Sequence, residues 1–254
     1  MPVAPQPSIV RVIDLETTGN APPAHAVIEI GWQDVALGED GRWELSGEGG
    51  NIMVNPGRPI PAITMAIHHI RDEDVADARW WHDVARPVLN PWPRRVALAA
   101  HRAAFEEQFC TPALTQGADW ICTWKCALRL WPDSPSFSNQ VLRYWRNPDG
   151  MIHERGLPVH RAFPDAYVTA HHLRDQLNQS SAAQLIEWSK APGLLPRVRY
   201  GPDRGKDWRE IEEESLVGFL TDRDPDIRFT AETEMARRRG GGHVGRMTPQ
   251  ELLL

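Results

Sequence analysis

Residues 8–16, "SIVRVIDLE", are apolar at both alternating sets of positions apart from Ser8 and Arg11, then end with two acids flanking Leu15. Side chains alternate along a strand, so such a run predicts a central strand covered on both faces. "AVIEIGWQDVAL" at 26–37 predicts a second strand, "GEDG" at 38–41 a turn, and "RWELSG" with "NIMVNP" a third, interrupted strand. "PAITMAIHHI" and "RDEDVADA" predict short helices, the second opening on acids that favour a helix N-terminus. "RRVALAA" at 94–100 predicts a fourth strand, "RAAFEEQF" at 102–109 a helix directly after it, and "DWICTW" a short fifth strand. "KCALRLW", "SNQVLRYW" and "RAFPDAYVTAHHLRDQL" predict helices; in the last, Ala162, Tyr167, Ala170 and Leu173 follow the helical period. A three-strand meander followed by alternating strands and helices gives the fold class α/β, with a mixed five-stranded sheet flanked by helices.

A composition shift near residue 190 changes that outline. "APGLLPRVRYGPDRGKDW" is rich in Pro, Gly and basic residues, and "MARRRGGGHVGRMTPQELLL" is expected to be mobile in part. The expected organisation is one domain over 1–192 and a small basic C-terminal appendage over 193–254.

Composition narrows the class. Of 254 residues, 41% are hydrophobic and 24% charged, as a folded globular chain requires. No apolar stretch reaches the length of a membrane span, and "MPVAPQPS" lacks a basic-then-apolar secretion signal. Three cysteines without framework spacing suit buried positions in a reducing cytoplasm. The formal net charge of -6 argues against loose, whole-surface binding of nucleic acid, but does not exclude a nucleic-acid enzyme whose positive potential comes from bound metal and a local groove. The tryptophan count of eleven is high, and composition alone gives it no role.

The chemistry begins with Asp14 and Glu16. On a strand, positions i and i+2 share a face about 6.6 Å apart. Carboxylates that close repel unless a cation or a proton lies between them. Two other stretches offer partners. "AHRAAFEEQF" places His101 and Glu106 just past the fourth strand, and "HRAFPDAYVTAHH" places His160 and Asp165 at the start of the long helix. Five residues turn a helix about 140° net, so both cannot share a face of it. His160 is therefore expected in the preceding loop or first turn, with Asp165 projecting from the helix.

"DLETTG", "HRAAFE" and "HRAFPD", in that order, resemble the three motifs of the DEDDh exonucleases, a family with the ribonuclease-H-like fold. The intervening "NPGRPIPAITMAIHHI" and "WICTWKCALRLWP" are similar to its exonuclease X branch. The resemblance implies a metal-dependent 3′-to-5′ exonuclease acting on single-stranded or frayed DNA 3′ ends and releasing nucleoside monophosphates. It implies two Mg²⁺ per site, which Mn²⁺ can replace, held by Asp14, Glu16, Glu106 and Asp165. It makes His160 the general base, and places Leu15, Thr17, Thr18, His68, Ala104 and Phe105 against the terminal nucleotide. Two positions depart from the pattern: Glu106 stands where aspartate is usual, and Arg102 where asparagine is usual. "VRYGPDRGKDWREI" is similar to the exonuclease X tail, and Arg197, Arg199, Arg204 and Lys206, with Arg102, are candidate nucleic-acid contacts. The alternatives are the same chemistry on RNA ends, or a nucleic-acid-binding module whose site has lost turnover.

Overall fold

The computed structural model describes residues 8–91 and 95–240. In chain order the elements are β1 (Ile9–Thr17), β2 (Val27–Leu37), β3 (Trp43–Asn55), α1 (Ala62–His68), α2 (Asp72–Val75), β4 (Arg79–Trp80) and α3 (Trp81–Leu89). There follow β5 (Ala97–Ala100), α4 (Glu106–Phe109), α5 (Pro112–Thr115), β6 (Trp120–Cys122), α6 (Thr123–Leu130) and α7 (Asn139–Arg146). The last are α8 (Ala162–Leu177), α9 (Ala182–Lys190), α10 (Glu213–Phe219) and α11 (Pro225–Gly240). The strands form one sheet in the order β4-β3-β2-β1-β5-β6. β1 pairs antiparallel with β2 and parallel with β5, so it is central, as its two apolar faces predict.

Three local expectations need correction. The sheet has six strands rather than five, because Arg79 and Trp80 pair in parallel with Val54 and Asn55 at its edge. Two exposed residues leave no hydrophobic period to read. The predicted helix over 102–109 forms only at Glu106–Phe109, because Arg102 has a left-handed φ of 70° that a helix cannot accommodate. The third strand is continuous: its apparent break at Gly47–Gly49 is a bulge, where β2 advances from Trp32 to Asp34 while β3 advances from Gly50 to Ser46. The helix α3, with Pro87 inside it, carried no prediction.

The alternation along β1 sorts the core. Val10 and Val12 join Ala97, Ala99 and Ile121 under α8 and α9, whose Ala166, Ala170, Leu173, Leu185 and Trp188 are all buried there. Burying one leucine such as Leu173 contributes about 1.5–3 kcal/mol. Ile13 and Leu15 point the other way, into a cluster with Val84, Ala85, Val88 and Leu89 of α3. Beyond residue 192, Leu195, Val198, Trp208, Leu216, Ile227 and Met235 share a cluster with Ala100, Ala103, Trp124 and Leu128. The expected mobile tail lies largely outside the described residues, although α11 takes in Met235 to Gly240. Among the described residues no helix is long and apolar enough to cross a membrane.

Candidate active site

Asp14 and Glu16 continue the line of Val10 and Val12, so they lie on the face that α8 covers, at the end of β1 where the apolar filling stops. Cross-strand, Asp14 stands opposite Gly31 and Glu16 opposite Glu29. Both residues of β2 set where α8 begins. Gly31 lets the helix start touch the sheet: a Cβ there would lie 2.1 Å from the backbone carbon of Ala162. Glu29 is 1% exposed and accepts from Arg161 Nε at 2.9 Å and Nη2 at 2.8 Å, from the Ala162 N–H at 3.1 Å, and from Asn51 Nδ2. This buried, charge-assisted set fixes the first turn of α8 beside the acids of β1.

Asp165, in that first turn, therefore meets Asp14 and Glu16: carboxylate oxygens of the three lie within 4.8 Å of one another. Each oxygen of Asp165 accepts one hydrogen bond, Oδ2 from the His160 backbone N–H at 2.7 Å and Oδ1 from Gln140 Nε2 at 2.8 Å. Gln140 is held in turn by buried Arg143, whose Nη1 donates to Gln140 Oε1 at 3.2 Å and to the Gly156 carbonyl at 2.7 Å. His160 precedes the helix, as the spacing required, and takes a left-handed φ of 59°. That conformation costs on the order of 1–3 kcal/mol. The bond from its N–H to Asp165 and the adjacent Arg161–Glu29 pair hold it there.

The electrostatics match this crowding. Burial, then the nearby Asp165, Glu16, Glu106 and Glu29, raise the Asp14 carboxyl well above its ordinary range. Burial, then Asp165 and Glu29, push Glu16 up to about 8 against the lowering effect of Arg161. Burial also pushes Glu106 up to about 8. Glu106 is 3% exposed, and its Oε2 has no hydrogen-bond partner among the described residues. A buried carboxylate oxygen without a donor, beside three converging carboxylates, fits a hard divalent cation. Asp14, Glu16 and Asp165 would hold it, with Glu106 on the same cleft.

That cleft, of about 280 Å³, is lined by Asp14, Leu15, Glu16, Thr17, His68, Phe105, Glu106, His160 and Asp165, and also by Gly19, Asn20, Thr64 and Ile67. The exonuclease (RNase_T) family model matches residues 11–173, which carry the cleft and all four acids. The chain belongs to this exonuclease family. Exodeoxyribonuclease 10 of Escherichia coli (strain K12) is 32% identical over 239 residues, covering 87% of this exonuclease and 96% of that relative. Exonuclease X, solved in complex with 5′ overhanging duplex DNA, aligns with a TM-score of 0.58 at 32% identity, over 71% of this chain and 99% of that one. A structure of exonuclease I shares the fold at a TM-score of 0.52 and 14% identity, over 71% of this chain and 43% of that one.

The remaining candidates of this exonuclease fall in different places. His68 is buried on the cleft wall, and its Nδ1 accepts the Ile70 N–H at 3.0 Å. The ring proton therefore sits on Nε2, which has no partner among the described residues, and burial lowers the proton affinity of the ring. The Thr18 hydroxyl is engaged by the Ala26 N–H at 3.0 Å, and Ala104 is exposed; neither is among the lining residues. Arg197, Arg199, Arg204 and Lys206 are all exposed, with Lys206 paired to Asp203 at 2.7 Å and Arg199 to Asp224 at 3.0 Å. Sequence reasoning missed Glu29, Gly31, Gln140 and Arg161. The first two were visible as an acid and a glycine inside an apolar strand, "VIEIG", where neither belongs without a partner. Gln140 gave no signal, because its role exists only through α7 packing against α8.

Proposed function

We propose that this exonuclease hydrolyses the terminal phosphodiester at single-stranded or frayed DNA 3′ ends, releasing nucleoside monophosphates, with two Mg²⁺ ions that Mn²⁺ can replace. The observation that carries the proposal is the convergence of Asp14, Glu16 and Asp165 within 4.8 Å. When bound, the cations neutralise phosphate charge and stabilise the leaving 3′ oxygen. Asp14, Glu16 and Asp165 would hold them, with Glu106 lining the same cleft. His160, exposed at the cleft, accepts the proton of the attacking water. Leu15, Thr17 and Phe105 pack on the terminal nucleotide, and His68 Nε2–H donates to one of its acceptors. The similarity to exodeoxyribonuclease 10, and to exonuclease X solved with DNA, favours DNA over RNA.

The test is digestion of 3′-labelled and 5′-labelled DNA and RNA oligonucleotides with Mg²⁺. Wild type should shorten DNA from the 3′ end, and Asp14→Ala should abolish this. His160→Ala should lose about 10²–10⁴ in rate while still binding DNA. Near-normal turnover in Asp14→Ala would end the proposal, and faster digestion of RNA would shift the substrate class.

A further inference from the structure

Arg102 interrupts the second motif with a positive charge, and its surroundings give that charge a use. The turn 101–105 leaves the end of β5 and continues into Phe105 and Glu106, which line the cleft. The Arg102 guanidinium does not reach Glu106. It lies 4.3 Å from the ring centroid of Trp124, at the start of α6. Trp124 is 4% exposed and packs so closely under Gly193 that a Cβ there would stand 2.9 Å from the indole. Arg199, from the segment after Gly193, brings a second guanidinium to 5.8 Å from the same ring. One rigid indole thus carries two arginines from distant parts of the chain.

Their nearby acids are differently engaged. Asp224 accepts from Arg199 at 3.0 Å through Oδ2 and from the Asp226 N–H at 2.9 Å through Oδ1. Asp226 accepts the Gly193 N–H at 2.7 Å. These bonds neutralise Arg199 and build the start of α11. The Arg102 side chain makes no hydrogen bond or ion pair with any described residue, while its backbone carbonyl accepts from the Phe105 N–H at 3.0 Å. The guanidinium lies over the indole, and its N–H groups meet no acceptor among the described residues. Partial burial, then the charge of Arg199, lowers its proton affinity against the weaker raising effects of Cys122, Asp226 and Asp224. A guanidinium held by its face presents two parallel N–H donors, the geometry that matches phosphate.

We propose that Arg102, set over the Trp124 ring, forms a subsite for a backbone phosphodiester of the substrate strand, away from the scissile bond. The proposal rests on the exonuclease reading above and adds to it the grip that holds the strand beside the cleft. Such a contact is equal in ground and transition states, so it lowers KM and leaves kcat alone. Arg197 and Lys206 are bound to Gly205 and Asp203, within their own loop, and take no part.

The experiment compares wild type with Arg102→Ala, Arg102→Gln, Arg102→Lys and, as a distant exposed control, Arg42→Ala. Steady-state kinetics on a single-stranded oligodeoxynucleotide should show KM raised about tenfold in R102A and R102Q, with kcat within about twofold of wild type. R102K should recover only part of the loss, because it keeps the charge but not the fork. Binding of the same oligonucleotide in EDTA, followed by anisotropy across salt concentrations, should lose about 0.7 from its log–log slope in R102A and R102Q. R42A should match wild type in both assays. Unchanged KM and salt slope in R102Q would overturn the subsite, as would a fall in kcat without a rise in KM. If wild type binds but does not digest DNA, the exonuclease reading fails while the salt slopes still decide the subsite.

Discussion

Glu106 has one methylene more than the aspartate usual at its place, and it stands at the first residue of α4. Its carboxylate is buried with one oxygen unpartnered, and Arg102 is stacked elsewhere, so no salt bridge removes it from metal. Glu106→Ala is expected to lose most of kcat, and Glu106→Gln nearly as much, because a neutral amide is a poor ligand for a hard cation. Glu106→Asp should keep the rate or improve it. Measuring kcat for the three at saturating Mg²⁺ checks this, and near wild-type rates in all three would place Glu106 outside the reaction.

At the scale of elements, the position of one helix start decides whether a site exists. The approach of α8 to Gly31 and the Arg161–Glu29 pair bring Asp165 to the acids of β1. Gly31→Ala puts a methyl group where the Ala162 backbone lies, so α8 must retreat by about an ångström. Overpacking of this kind costs about 1–3 kcal/mol, and a misplacement of that size costs about 10²-fold in rate. Thermal melts and kcat should fall together. Glu29→Gln should also lower stability, because Arg161 is left partly buried without its counter-charge. A full kcat in Gly31→Ala would show that the helix start is not what places Asp165.

For the whole molecule, the same crowding predicts a pH profile of stability without metal. Glu16 and Glu106 stand at about 8 in the fold, against an ordinary 4.5 when unfolded. Between those values the folded state binds more protons, so their stabilisation is full below 4.5 and disappears as pH rises through 8. Burial acts oppositely on His101, His171 and His172, pushed down to about 3, 4 and 4, so their contribution rises until pH passes their ordinary 6.5. The two trends separate above that point. In EDTA the melting temperature should fall from pH 6.5 to 8.5, as the unfolding free energy drops by at most about 1.4 kcal/mol per carboxyl per pH unit. Added Mg²⁺ should offset the fall, and its stabilising effect should grow with pH, because a bound cation replaces the protons. A metal-free melting temperature that stays level or climbs over this range would show that the acids are not crowded as described.

Much of this was legible in the linear order of residues, because it depends on local period and short spacing. Alternation in "SIVRVIDLE" placed β1 at the centre and put Asp14 and Glu16 on one face. The His160 to Asp165 spacing put the histidine ahead of the helix that carries the acid. What the sequence could not decide is set by contacts between residues far apart in the chain. Arg102 reads as a helix residue until its left-handed backbone and the Trp124 ring are seen. Gln140 reads as an ordinary helix position until Arg143 and Asp165 hold its two ends. Glu29 reads as an oddity inside a strand until Arg161, 132 residues away, closes on it. Periodicity records which face a residue occupies, but not which partner the packed sheet and helices bring to that face.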